Sequence, residues 1–280
     1  MNNNEIFLCS ISNIESGGCG EDCKFCTQSI KYNTQIDKYK NKNIDDIVSE
    51  AKFLSDKGAL GFCLVTAGKG LNNRRLKYVS QTAERLKKEL PNLNLIACNG
   101  TATVEQLKIL KDSGIDSYNH NLETSEKFYP QICTTHSWAE RYKTCENVKT
   151  AGLKLCTGGI VGLGETEQDR EEFFNEILSL KPNSIPVNFY HYNSALPIPE
   201  TDLKIEDGLK IIKNLRAKFN GRIMIAGGRE SFFKENDWQI FEAGANSIVI
   251  GNYLTTRGVG ADRDLKMLNN LNLKIAKNCK

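Results

Sequence analysis

The stretch Gly61-Phe62-Cys63-Leu64-Val65-Thr66, followed by the turn Ala67-Gly68-Lys69-Gly70 and by Arg74–Leu90, decides the fold. Its first six residues form a short apolar run, as a strand does, and the turn is marked by two glycines. Arg74–Leu90 then reads as a helix, closed by Pro91, which cannot continue one. The same unit recurs in both directions along the chain. Ile6–Ile11 is a first strand, and Ile44–Lys57 places Ile44, Ile47, Val48, Ala51 and Leu54 at helical spacing before Gly58 stops it. Strands are then expected at Leu93–Cys98, Ser117–Leu122, Leu153–Gly158, Ser184–Tyr190, Ile223–Gly227 and Asn246–Ile250. Helices are expected at Thr103–Ser113, with Thr101 or Thr103 as cap, and at Ser137–Ala151 and Glu167–Leu180. Three more follow at Ile205–Phe219, Glu235–Ala243 and Asp262–Leu271. Runs such as Ser247-Ile-Val-Ile-Gly251 suit a parallel sheet covered on both faces. The rhythm fits an open doubly wound sheet or a closed barrel. Eight units favour an α/β protein of the single-domain (α/β)8 TIM type over residues 1–280.

Bulk properties narrow the class. The chain has 280 residues, 37 basic and 34 acidic, for a net charge of +3. That balance is too mild to point to nucleic acid, and no apolar run approaches the ~18 residues of a membrane span. The first residues, Met1-Asn-Asn-Asn-Glu5, lack the basic and apolar regions of a signal peptide. Ten cysteines in such a chain point to a reducing cytoplasm and to metal rather than disulfides.

Cys19-Gly-Glu-Asp-Cys23-Lys-Phe-Cys26 spaces three thiols as C-x3-C-x2-C near the N-terminus. Three thiolates at this spacing can hold three irons of a 4Fe–4S cube and leave the fourth iron free for a small chelating molecule. A structural zinc site usually closes with four ligands, and the nearby candidate, Cys9, reads as strand core among Phe7, Leu8 and Ile11. A disulfide framework or a C-x2-C redox pair are the other readings of the motif.

Further polar residues fall on the strands. Cys63, Cys98 and Cys156 sit on three separate strands; they could be small core residues or meet inside a barrel to hold a second cluster. Asn119 and Asn121 alternate to one face of their strand, with His120 on the other. If that face is the lumen, their carboxamides offer donors and acceptors to a urea, amide or carboxylate, and Asn188 offers a third. A purely structural polar network is the alternative. The run Gly158-Gly-Ile-Val-Gly-Leu-Gly-Glu165 lacks the lysine and hydroxyl residue of a P-loop, but permits close backbone approach to a flat ligand such as adenine.

Taken together, these segments resemble the biotin synthase family of radical S-adenosylmethionine enzymes. The resemblance covers nearly the whole chain. It rests on Cys19–Cys26, Phe62-Cys63, Ala97-Cys98, Tyr118-Asn-His-Asn-Leu122, Cys156-Thr-Gly-Gly-Ile-Val-Gly-Leu-Gly-Glu-Thr166, Ala226-Gly-Gly-Arg-Glu230 and Ala243-Gly-Ala-Asn-Ser247. It implies an (α/β)8 barrel, usually homodimeric, with a 4Fe–4S cluster on Cys19, Cys23 and Cys26 that binds S-adenosylmethionine. Reduced flavodoxin or ferredoxin would supply an electron, and the adenosyl radical would abstract hydrogen from C9 and then C6 of dethiobiotin. Sulfur would come from an auxiliary cluster on Cys63, Cys98 and Cys156. Phe25, Asn121, Glu123, Arg141 and Ile160 fall where the family binds S-adenosylmethionine, with Glu123 standing where the family usually has Asp. Asn119, Asn121, Asn188, Thr255 and Thr256 fall on the substrate side.

One departure stands out. Where the family has an arginine as fourth auxiliary ligand, this chain has Met224; Arg222 lies two residues earlier on the same strand face. The auxiliary cluster is therefore either the family's 2Fe–2S or a larger four-iron variant. Rival readings are another enzyme of the same superfamily, such as a hydrogenase-maturation or lysine-mutase relative, an electron carrier, or a zinc module.

Overall fold

A computed structural model describes residues 5–255 and 258–279 of the chain. Its strands are β1 (Glu5–Glu15), β2 (Gly61–Thr66), β3 (Asn94–Cys98), β4 (Ser117–Asn119), β5 (Lys154–Cys156), β6 (Gly159–Val161), β7 (Ser184–Phe189), β8 (Arg222–Ile225), β9 (Ser247–Val249) and β10 (Lys274–Ile275). The helices are α1 (Ile44–Asp56), α2 (Asn73–Glu89), α3 (Val104–Asp112), α4 (Trp138–Thr150), α5 (Glu167–Ser179), α6 (Ile205–Lys218), α7 (Arg229–Phe233), α8 (Gln239–Glu242) and α9 (Ala261–Asn270).

Every strand pairing among the named strands is parallel, in the order β1-β2-β3-β4-β5-β7-β8-β9, and β9 pairs back onto β1. Eight strands thus close a TIM-type barrel, which removes the free edges of an open sheet. β6 adds to β7 near the rim, and β10 adds to β1. Closure gives each strand an inner and an outer face. Ile6, Leu8 and Ile14 of β1 pack outward with Phe62, Leu64, Leu95 and the helices. Phe7 and Cys9 point inward with Cys63, Val65, Ile96, Met224, Ala226 and Val249.

The helices start on side chains suited to that task. Asn43 and Asn72 accept from the first turns of α1 and α2, and capping boxes open α3 (Thr103/Gln106), α4 (Ser137/Glu140) and α5 (Thr166/Asp169). Three elements depart from the sequence expectation. The fourth strand ends at Asn119 rather than Leu122, because Leu122 and Glu123 both donate to Gly158 O as the chain bends away. The glycine run contains the short strand β6. The helix expected at Glu235–Ala243 is broken into a 3-10 turn and α8. The break follows from burial of Arg229, whose guanidinium holds Asp237 and Asp264 at 2.7 and 2.8 Å and draws the connecting chain around itself.

Candidate active site

β1 delivers the chain to the C-terminal rim of the barrel, where TIM-type enzymes place their chemistry. Gly17 and Gly18 take left-handed φ of 73° and 69°, which turns the chain into the cysteine loop. The loop closes on itself: Cys19 donates to Gln28 O, Cys26 to Cys23 O and Ile30 to Cys19 O. Asp22 pins it to the segment after Ile132, accepting from Thr134 N at 2.9 Å and Thr135 N at 3.2 Å. Burial pushes the Cys26 thiol up to about 11, and the charges of Cys19 and Glu123 add to the rise. Cys19 is likewise raised by burial. All ten cysteines are free, and a thiol ionises when it ligates a metal.

Cys23 has a companion that the sequence reading did not place. Its Sγ donates to Cys133 Sγ at 3.6 Å, and Cys133 Sγ lies 3.3 Å from His136 Nδ1. Cys133 is the more acidic of the pair because it receives that donation and faces His136 and Thr135. Cys133-Thr-Thr-His136 is a C-x2-H spacing, which could have drawn notice to the turn.

His136 links this loop to a buried ion pair. Arg141 donates to Tyr129 Oη at 2.7 Å and to Asn121 O at 2.9 Å, and approaches His136 Nε2 at 3.0 Å. Its Nη1 also lies 3.6 Å from Glu123 Oε1. Burial raises the Glu123 carboxyl, while Arg141 and Asn121 pull it back toward ionisation. Burial opposes the charge of Arg141 too, but Glu123 and Tyr129 outweigh it and keep the guanidinium protonated. Glu123 has φ of 72°, a left-handed conformation unusual for a non-glycine residue. The bend is held by Ile160 N donating to Glu123 O at 2.9 Å.

A cavity of about 660 Å³ opens over this region. Phe25, Asn121, Glu123, Ile160, Asn188 and Thr255 line it, as does Cys26. Asn188 is already engaged: it donates to Gly159 O and accepts from Gly227 N, both at 2.9 Å. Asn119 sits deeper and donates to Cys98 Sγ at 3.4 Å. The side-chain oxygens of Asn119 and Asn121 are buried with no partner, as expected of groups set for a ligand's N–H. Thr256 lies outside the described residues.

Below the cavity, the Cys98 thiol and burial together raise Cys63, and Ser184 Oγ donates to Cys156 Sγ at 2.9 Å. Burial lifts Cys156 to about 11, and Cys98 adds to the rise. Cys9 joins this inner layer, where the sequence reading had it as strand core. Burial pushes it up to about 12, Cys156 adds to that, and Arg222 opposes. Arg222 lies over the Phe7 ring, 3.5 Å from its centroid. Thiols at the rim and in the lumen are the donor type that iron–sulfur clusters take, and the carboxamide oxygens of Asn119 and Asn121 are buried without partners.

Comparison with known proteins accords with this geometry. Residues 14–177 match the model of the Radical SAM superfamily, and residues 186–274 match that of the Biotin and Thiamin Synthesis associated domain. The chain is 58% identical to the biotin synthase of Sulfurimonas denitrificans over 280 residues, covering 99% of this chain and 100% of the relative. It is 56% identical to that of Nitratiruptor sp., covering 98% and 99%. Among solved structures, methylornithine synthase superposes with a TM-score of 0.83 at 17% identity, covering 98% of this chain and 84% of that one. The FeFe-hydrogenase maturase HydG from Carboxydothermus hydrogenoformans gives 0.80 at 15%, covering 96% and 67%. Those two likenesses show the fold alone. The site and fold are those of a radical S-adenosylmethionine enzyme, a class whose first cofactor is a 4Fe–4S cluster with S-adenosylmethionine. Within that class, the full-length identities place the chain in the biotin synthase family.

Proposed function

We propose that this chain inserts sulfur between C6 and C9 of dethiobiotin, using the residues assigned below. The observation that carries the reading is that one barrel holds Cys26, Asn121 and Glu123 on a single cavity and Asn119 against Cys98, with both carboxamide oxygens buried without partners. A 4Fe–4S cluster with S-adenosylmethionine supplies one-electron cleavage and hydrogen abstraction, and an auxiliary cluster supplies sulfur.

The protein's own part is to bind, orient and shield. Cys19, Cys23 and Cys26 hold the first cluster. Glu123 receives the ammonium of S-adenosylmethionine, and Arg141, fixed by Tyr129, Asn121 O and His136, keeps that carboxyl ionised. Phe25 and Ile160 present apolar surface to the adenine, and the Gly158–Glu165 run lets the backbone come close. Asn119 and Asn121 turn their free oxygens to the N–H groups of the substrate's urea ring. Asn188 buttresses the cavity by tying Gly159 to Gly227, and Thr255 lies on the substrate side. Cys63, Cys98 and Cys156 hold the auxiliary cluster in a lumen walled by Val65, Ile96 and Val249, which keeps water from the hydrogen-abstraction step. With Met224 at the arginine position, the cluster has either two or four irons, and iron counting distinguishes them. The enzyme works as a homodimer in the cytoplasm, with reduced flavodoxin or ferredoxin as donor.

The test is an anaerobic incubation with dethiobiotin, S-adenosylmethionine and reductant. Biotin and 5′-deoxyadenosine are expected together. Deoxyadenosine without biotin overturns the substrate assignment, and neither product overturns the whole reading.

A further inference from the structure

We propose that Cys9 is the fourth protein ligand of the auxiliary cluster, in the place left open by Met224. This rests on the reading of Cys63, Cys98 and Cys156 as a cluster site, and it adds a residue outside the resemblance. The register of β1 carries the first argument. Cys9 pairs with Gly61 and Ile11 with Cys63, so Cys9 lies one inward position below the Cys63 level. It packs with Cys63 and Met224, and Cys98 borders the same group.

Gly61 supplies the second argument. A Cβ at Gly61 would lie 3.1 Å from Cys9 Sγ, so the thiol reaches sideways over β2, toward the barrel interior, and glycine leaves it room. Cys9 also feels the charge of Cys156 across the lumen, and Cys63 feels that of Cys9.

Spacing and charge give the third. Four thiolates on one zinc sit ~4 Å apart, from Zn–S bonds of ~2.3 Å. Among the described residues, the one Cys, His or acid group of three with ligand atoms all within 4.8 Å is Cys23, Cys133 and His136. The lumen thiols are spread wider, as several irons require. Four cysteines ligate 2Fe–2S and 4Fe–4S clusters alike. Arg222 makes no ion pair with a carboxylate among the described residues, and the charges that act on it are those of Cys9, Cys279 and Cys156. A half-buried guanidinium over the Phe7 ring, with thiol charges acting on it and no carboxylate paired to it among the described residues, is placed to offset the negative charge of a thiolate-held cluster.

The test removes the rim cluster by Cys19→Ala, Cys23→Ala and Cys26→Ala in the full chain, then compares Cys9, Cys9→Ala and Cys9→Ser after anaerobic reconstitution. Iron and sulfide per chain, Mössbauer spectra and the EPR signal of the reduced cluster are the readouts. Cys9→Ala is expected to lose about half or more of the bound iron. Cys9→Ser, which preserves shape if the alanine variant fails to fold, is expected to hold a cluster with a shifted EPR signal. Unchanged iron content and spectra in either variant overturn the role of Cys9. A triple variant that binds no cluster with Cys9 intact overturns the auxiliary-site reading itself, and this proposal with it.

Discussion

Glu123 concentrates much of the site in one residue. It adopts φ of 72°, faces Arg141 in a buried pocket and lines the ligand cavity. A non-glycine residue in this conformation costs about 1–3 kcal/mol and persists where its surroundings fix it. Glu123→Gln keeps the shape and removes the charge. Its affinity for S-adenosylmethionine, measured by anaerobic equilibrium binding, is expected to fall about ten- to hundredfold, the 1.5–3 kcal/mol of a charged hydrogen bond. Glu123→Asp is expected to recover most of that loss. Arg141→Met leaves Glu123 buried without its cation, and thermal unfolding should register a loss of about 3–5 kcal/mol. These roles were legible only in part. The sequence placed the pair, but Cys133, His136 and Tyr129, which hold it in position, became visible only once the loop after Ile132 folded over Cys23.

At the scale of elements, the passage from β4 to β6 is tightly constrained. Gly159 bridges to Glu123, and a Cβ there would lie 2.3 Å from Glu123 O. Because the obstacle is backbone, Gly159→Ala is expected to cost about 1–3 kcal/mol in denaturant unfolding and to weaken S-adenosylmethionine binding as Glu123 shifts. Helix α5 offers a second case. Glu176 accepts from Glu126 N at 3.3 Å, and burial raises its carboxyl to about 7. An acid whose folded value lies above its unfolded value stabilises the fold when protonated. That contribution is full below the unfolded value and lost as pH rises through about 7. Thermal melts from pH 5 to pH 8 should therefore show a smaller decline for Glu176→Gln than for the parent chain. Helix starts were legible because Asn43, Asn72, Thr103, Ser137 and Thr166 carry their own caps. The broken helix near Glu235 was not, because its cause, the buried Arg229, reaches Asp264 from 35 residues away.

At the scale of the molecule, the barrel was legible from eight strand–helix repeats, yet its two faces were not. Alternation told that Phe7, Cys9 and Ile11 share a face of β1; only closure against β9 told that this face is the lumen. Cys9, read from the sequence as strand core, does lie in the core, on its lumen side. The same closure gathers Arg229, Arg263, Asp237 and Asp264 behind the last strands, with Arg229 fully buried. Arg229→Met leaves two buried carboxylates short of a cation, and unfolding measurements should show a loss of about 3–5 kcal/mol with the rim thiols still able to take up iron.

The foot of the barrel has a further consequence. There Phe7 and Arg222 stack, Cys279 packs beside them, and β10 lies along β1. The wide mouth is at the opposite end, over Cys26 and Asn121. A cavity of about 30 Å³ at the foot, lined by Phe7, Cys156, Met224 and Cys279, approaches the lumen from the other side. A ligand the size of S-adenosylmethionine therefore fits at the rim, where about 660 Å³ is open, while the foot has room for about one water.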